Sequence, residues 1–282
     1  MPAPSHSFNA LGGVPTHYDR LTPEAYGTRN GPHRSFNATA AFTAKLNAAF
    51  NELWELCPFG RAEMIATAGA FVNKPGFHGQ GRAFDLDAIF WPNNVNFVTL
   101  EDGFRNRNRN LYFAVEAVLR RHFGQILNYN FNAAHRDHFH IDDVAPGFVT
   151  TSRSATFFLQ NVLITVYGQE IGLDGDFGQQ TRGAAERVFE SLDILGGLED
   201  DEAWRTFLRE TARRAFAAAA GGGPAADEDE DVLEERTPSE LLRHVFTVIQ
   251  EELSDTALRA PVEHALNAFA EHPRVRTLLE ED

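Results

Sequence analysis

The order of apolar and polar positions changes period several times along the chain. In "TAAFTAKLNAAFNELWEL", 39–56, Phe42, Leu46, Phe50, Leu53 and Trp54 recur three and four residues apart. That spacing predicts an amphipathic helix, closed by Pro58 and Gly60. "EMIATAGAFV", 63–72, is a short apolar run that reads as a strand. "RAFDLDAIFW", 82–91, alternates, with Phe84, Leu86, Ala88 and Phe90 on one face and Asp85 and Asp87 on the other. "NLYFAVEAVLRRHF", 110–123, predicts a longer helix, and "QILNYNF" leads on to a further strand around His138, His140 and Asp142. On that strand Phe139 and Ile141 point the other way, toward a core.

The pattern breaks at three places. Residues 1–37 are rich in Gly, Pro, Asn and Ser without clear periodicity, and we expect an extended, partly irregular N-terminal arm. Gly147 and "TTSRS" mark a boundary near 150. "GGGPAADEDEDVLEE" marks an acidic linker over 221–236, whose charges serve mainly to keep the chain solvated. The expected organisation is therefore an α+β domain over 38–148 built on an antiparallel sheet, then an all-α unit over 150–220. Beyond the linker, C-terminal helices fill 237–282. His244 and His264 lie in those last helices, where exposed or core-edge roles are expected.

Composition narrows the partners. The chain has 282 residues, 43% of them hydrophobic, enough for a sizeable core, and a formal charge of −15. A balance so acidic lacks the basic footprint that nucleic acid or an anionic membrane requires. No apolar run approaches the ~18–20 residues that span a bilayer. "MPAPSHSFNALGG" lacks the pattern of a secretory signal, so a chain made in the cytoplasm is expected. The single cysteine, Cys57, has no internal partner and reads as a packed thiol rather than a nucleophile.

Candidate chemistry lies in two stretches. "AAHRDHFHIDD", 133–143, holds three histidines and three aspartates in eleven positions. His138, His140 and Asp142 share one strand face, two histidines one alternation apart lying ~7 Å from each other. They are too far apart to touch, yet both can face one small object, such as a metal ion. Upstream, "HGQGRAFDLD", 78–87, separates His78 from Asp85 by a turn containing Gly79 and Gly81, which let the chain fold back closely. If the two strands pair, His78, Asp85 and His140 make a three-ligand zinc set with an open fourth position, the pattern catalysis uses. Asp87 is either a solvated partner or an acceptor behind the ligands. Asp137 and Asp142 are either acceptors that orient the rings or solvated positions.

These residues carry a resemblance. "HGQGRAFD" fits H-x-x-G-x-A-x-D and "HRDHFH" fits H-x-x-H-x-H, the paired signatures of the D-Ala-D-Ala metallopeptidases and the extensin-like C-terminal domain. The wider LAS superfamily includes lysostaphin-type and penicillin-insensitive murein endopeptidases. The resemblance spans roughly 40–147. It implies Zn2+ held by His78, Asp85 and His140, His138 as general base, and His135 polarising the water or stabilising the oxyanion. One departure matters. Many such enzymes carry an arginine shortly before the first motif to hold the substrate, and here only Lys74, with Arg82 inside the motif, is available. A lysine is a point charge rather than a bidentate fork, which shifts the expectation from carboxypeptidase toward endopeptidase chemistry.

"GLDGDFGQQTRGAAERVFE", 172–190, resembles the three-helix peptidoglycan-binding domains, with Asp174, Gly175, Phe177, Gly178 and Thr181 filling the D-G-x-F-G-x-x-T turn. Phe177 is expected to plug a small core and Thr181 to cap the next helix. A structural or protein-binding helical unit is the alternative. Together the resemblances imply a zinc-dependent peptidase cutting cross-links or stem peptides of bacterial peptidoglycan, with D,D-endopeptidase activity favoured. Such a protein would reach the wall after lysis or through specialised secretion, with a secretion-apparatus, chaperone or immunity partner conceivable for its acidic tail. The rival readings are a non-catalytic wall-binding or assembly protein with structural zinc, and a D,D-carboxypeptidase.

Overall fold

Residues 40–56 wind into the first helix because every third or fourth position is apolar and both ends carry stop signals. In the computed structural model, which describes residues 4–92 and 94–221, α1 (Ala40–Leu56) buries Phe42, Leu46, Phe50, Leu53 and Trp54. The Thr39 side chain accepts a hydrogen bond from Phe42 N at 3.2 Å, and Cys57 ends the helix just before Pro58. Cys57 is buried, and burial pushes its thiol up to about 11, so it packs rather than reacts.

The strands are β1 (Ser7–Phe8), β2 (Ala10–Leu11), β3 (Val14–Tyr18), β4 (Phe36–Asn37), β5 (Met64–Gly69), β6 (Ala83–Phe90), β7 (Asn96–Val98), β8 (Gln125–Leu127) and β9 (Phe139–Asp142). β1 and β4 form a small antiparallel pair. The other seven make one sheet in the order β2-β3-β5-β6-β9-β8, with β7 also on β6. β9 pairs with Ala83–Leu86 and β7 with Ala88–Phe90, so the two lie end to end along β6.

The sheet is mixed rather than antiparallel throughout. β3 runs parallel to β5, a pairing that needs a crossover, and α1 supplies it. Ala10–Leu11 and Val14–Tyr18, expected within an extended, partly irregular arm, are thus strands of the sheet. The alternation along β6 also reverses partway. Ala66 faces Ala88 while Thr67 faces Leu86, leaving Asp87 as an extra residue in a bulge. Consequently Phe84, Leu86, Ile89 and Trp91 enter the main core, whereas Ala88 and Phe90 join Met64, Ala66 and Val98 on the opposite face.

Helix α2 (Arg109–Arg120) is followed by three more, α3 (Arg153–Thr165), α4 (Gln179–Ser191) and α5 (Asp201–Gly221). Every position of α2 from Leu111 onward is buried, because it contacts α1, β8, α3 and, most extensively, α5. The described residues form one compact unit, and Phe158, Phe189, Trp204 and Phe207 belong to the same core as Phe42 and Phe139. The break near 150 is therefore a turn in the chain and does not divide the packing. Thr181 lies inside α4 rather than capping it. Its hydroxyl accepts from the buried Gln160 amide at 3.1 Å, and that amide also holds Asp174 at 2.7 Å. Gly175 has φ +75°, and a Cβ there would meet Phe157 at 2.6 Å, so this turn requires glycine. Phe177 is half-buried against Phe148. Most of the expected linker and the C-terminal helices, with His244 and His264, lie outside the described residues. Among the described residues no helix is long and apolar enough to cross a membrane.

Candidate metal centre

The register of two strands creates the site. Asp85 on β6 is paired directly with His140 on β9, and the flanking pairs Leu86–Phe139 and Phe84–Ile141 are fully buried. Directly opposed residues share a face with Cβ atoms ~5 Å apart, so burying the apolar pairs turns the carboxylate and imidazole to the other side together. His78 arrives from the single turn His78–Gln80 immediately before β6. Gly81 closes that turn at φ +66°, and a Cβ on Gly79 would lie 1.7 Å from the Lys74 carbonyl oxygen. Gly79→Ala must therefore push the turn outward and carry His78 with it. If His78 is a zinc ligand, affinity for zinc is expected to fall about 10–100-fold, the range seen when a ligand loses its support, and competition with a chromogenic chelator measures it.

The three donors converge. His78 Nε2 lies 3.2 Å from Asp85 Oδ1 and 3.1 Å from His140 Nδ1, and His140 Nδ1 lies 2.8 Å from Asp85 Oδ1. Donors held about 2.1 Å from a tetrahedral ion sit roughly 3.4 Å apart, so this spacing fits a single zinc ion. The far nitrogens fit as well. His78 Nδ1 donates to the Ala70 carbonyl, and His140 Nε2 lies 2.9 Å from Asp142 Oδ1, an almost fully buried carboxylate. Anchoring the outer nitrogen fixes the ring and aims the inner one at the ion.

Electrostatics agree with this arrangement. Burial alone would raise the Asp85 pKa, but hydrogen bonds to His140 and His78 hold it below the usual carboxylate range. Burial opposes charge on His140, yet Asp142 and Asp85 overcome it and raise its pKa to about 9. His140 is thus protonated at neutral pH before an ion binds, and ligation through Nδ1 must expel that proton. Zinc binding at pH 7 is expected to release about one proton from this imidazole, and apparent affinity to climb about tenfold per pH unit toward 9. Titration calorimetry in buffers of different ionisation enthalpy gives the proton count.

Two more histidines stand beside the donors. His138 precedes β9; its Nδ1 donates to Asp137 Oδ1 at 2.9 Å, so that in the neutral ring Nε2, 3.7 Å from Asp85 Oδ1, is an acceptor. His135 ends the turn Ala133–His135, its ring 5.2 Å from His138 and 5.5 Å from His140. Asn132 Oδ1 accepts from Ala134 N at 2.9 Å, which fixes the amide, and His135 Nδ1 donates to the same oxygen at 2.8 Å. His135 Nε2 is therefore also an acceptor. Burial and the neighbouring His138 and His140 lower its pKa to about 4, so the ring is neutral.

Asp137 and Asp142 both act behind the rings, and Asp87 is fully buried rather than solvated. Its partner is Arg20, which follows β3 and reaches Asp87 and Asp137 together. Arg20 and Asn132 carry no motif and escape sequence reasoning; a charged residue just after a strand is the only signal Arg20 offers. Arg82, by contrast, is occupied in the fold, with Nε 3.1 Å from Asp143 Oδ2 and Nη2 3.1 Å from the Asp143 carbonyl.

No curated protein and no solved structure gives a significant match to the chain. Residues 66–151, which hold His78, Asp85, His135, His138 and His140 but not Arg20, match the family described as extensin-like protein C-terminus.

Proposed function

We propose that this protein is a zinc-dependent peptidase acting on the peptide part of bacterial peptidoglycan, with cleavage of cross-links favoured. The convergence of His78 Nε2, Asp85 and His140 Nδ1 within 2.8–3.2 Å, beside two further imidazoles, carries this reading. Two nitrogens and one carboxylate oxygen leave a tetrahedral position free, whereas a structural zinc site takes four protein ligands. A bound zinc ion supplies Lewis acidity at the scissile carbonyl and lowers the pKa of water toward ~7.

The protein's own groups do the rest. His138 Nε2 takes the proton of the attacking water, because Asp137 holds the proton of this ring on Nδ1. His135 is neutral with Nε2 free to accept, which supports orienting the water over stabilising an oxyanion. The engagement of Arg82 by Asp143 removes a clamp for a terminal carboxylate and supports endopeptidase over carboxypeptidase action. The α3–α4 region, with its Gln160-held turn, is the proposed wall-binding surface.

The test incubates the zinc-loaded full chain with purified muropeptides and follows products by mass spectrometry. Cross-linked dimers should become monomers, chelator should stop the reaction, and His138→Ala should slow it. Release of free C-terminal D-Ala alone would mark a carboxypeptidase. Zinc retained without any product would mark a structural site.

A further inference from the structure

We propose that Arg20 is a positioning residue for His138, acting through Asp137. The guanidinium is forked between two carboxylates. Its Nε and Nη2 donate to Asp87 Oδ2 and Oδ1 at 2.9 and 2.5 Å, and Nη1 donates to Asp137 Oδ2 at 2.8 Å. Asp137 Oδ1 is left to accept from His138 Nδ1 at 2.9 Å. Both oxygens of Asp137 are thus committed, one to each neighbour.

The surroundings hold this arrangement in place. The Tyr26 ring lies under the guanidinium at 4.6 Å, and Tyr26 OH donates to the Asp137 carbonyl. Thr99 Oγ1 donates to the same carbonyl at 2.6 Å. Two N–H groups of Arg20 face the fully buried Asp87, which also lies against a second buried carboxylate, Asp19, whose Oδ1 is 3.9 Å from Arg20 Nε. The third N–H, on Asp137, fixes the carboxylate behind His138. Without it, Asp137, whose side chain is 30% exposed, is free to turn into solvent, and His138 is free to carry its proton on either nitrogen. Only the Nδ1–H tautomer leaves Nε2 able to accept. Arg20 and Tyr26 lie outside the matched segment 66–151, so this control is built by the segment that follows β3.

The assignment rests on the peptidase reading for what His138 does, and on geometry alone for how it is held. The test uses the zinc-loaded full chain and three readouts: zinc per chain, the His138 tautomer from long-range 1H–15N spectra assigned with His138→Ala, and kcat and KM on a cross-linked muropeptide. Asp137→Asn is the decisive variant. If Arg20 governs this position it claims the amide oxygen, turns the NH2 toward His138 and converts the ring to the Nε2–H tautomer. Zinc should stay bound, kcat should fall about 10–100-fold and KM should change little. Arg20→Lys keeps a charge for Asp87 but cannot fork, so His138 should show mixed tautomers and kcat about tenfold lower. Combining the two substitutions should relax the Nε2–H preference. An Nδ1–H tautomer persisting in Asp137→Asn overturns the proposal, as does an Arg20→Lys protein that loses stability with an unchanged tautomer. If the unmodified protein cuts no muropeptide, the peptidase reading falls while the tautomer still decides the role of Arg20.

Discussion

On the proposed peptidase function, Asp85→Ala is expected to empty the metal centre and stop hydrolysis. Its carboxylate touches both imidazole ligands, at 3.2 Å from His78 Nε2 and 2.8 Å from His140 Nδ1. Alanine leaves two imidazole donors, too few for tight zinc binding, and removes the negative charge that offsets the ion. Losing a residue behind a ligand costs about 10–100-fold in affinity or activity, so losing the ligand itself should exceed that range and take turnover below detection. The change also removes one of the two carboxylates that raise the His140 pKa, which therefore drops below about 9. Elemental analysis should find less than a tenth of the zinc of the unmodified chain, with the far-UV circular dichroism preserved. His138→Ala makes the informative contrast. It lies outside the donor set, so zinc should stay while kcat falls by roughly 10²–10⁴, the usual contribution of a general base. A protein that keeps zinc and activity after Asp85→Ala would place the ion elsewhere.

Much of this centre was legible in the sequence because its signals are local. Helical spacing in 39–56 and alternation around His138 and His140 are visible within a dozen residues, and the turn holding His78 announces itself through Gly79 and Gly81. The pairing of β6 with β9 is only a condition at the level of sequence; the structure shows it, with Phe84, Leu86, Phe139 and Ile141 buried together. Ligand geometry came with that register.

What escaped the sequence depends on long-range contacts or on broken periods. The bulge at Asp87 moves Ala88 and Phe90 to the opposite face, and nothing in "FDLDAIF" marks where alternation reverses. β3, "VPTHY", contains a proline that argues against a strand, yet it pairs with both β2 and β5. Arg20 follows it and meets Asp87 and Asp137, partners 67 and 117 positions away. Thr181 has the chemistry of a cap, but the buried Gln160 side chain draws its hydroxyl into the turn before α4. Gly147 and "TTSRS" look like a domain boundary because they break the pattern. The packing across them is continuous because Arg120, a residue that reads as surface from its charge, is buried on the far side.

That arginine carries the second large prediction. Glu116 and Arg120 stand one helical turn apart on α2, both almost fully buried, with Glu116 Oε1 2.8 Å from Arg120 Nη2. Nη2 also donates to the Ile126 carbonyl at 3.0 Å and to Ser154 Oγ at 2.9 Å, joining α2 to β8 and to the start of α3. Glu116 is held in turn by Asn128 Nδ2 at 3.0 Å. Removing one member of such a pair strands the other charge in an apolar interior, at a cost of about 3–5 kcal/mol. Glu116→Ala is therefore expected to lower the melting temperature by about 10 °C, using roughly 2–4 °C per kcal/mol for a chain segment of this size. The double variant Glu116→Leu/Arg120→Met should recover only part of the loss. It removes the stranded charge and leaves the Ser154 hydroxyl donating to the Ile126 carbonyl, but the buried Asn128 Nδ2 loses its acceptor, at about 1–3 kcal/mol. Scanning calorimetry also reads the coupling across residue 150. Because this pair links α2, β8 and α3, the α+β part and α3–α5 should shift together in one transition. Separate transitions, with only one of them moved, would make the helical segment an independent domain.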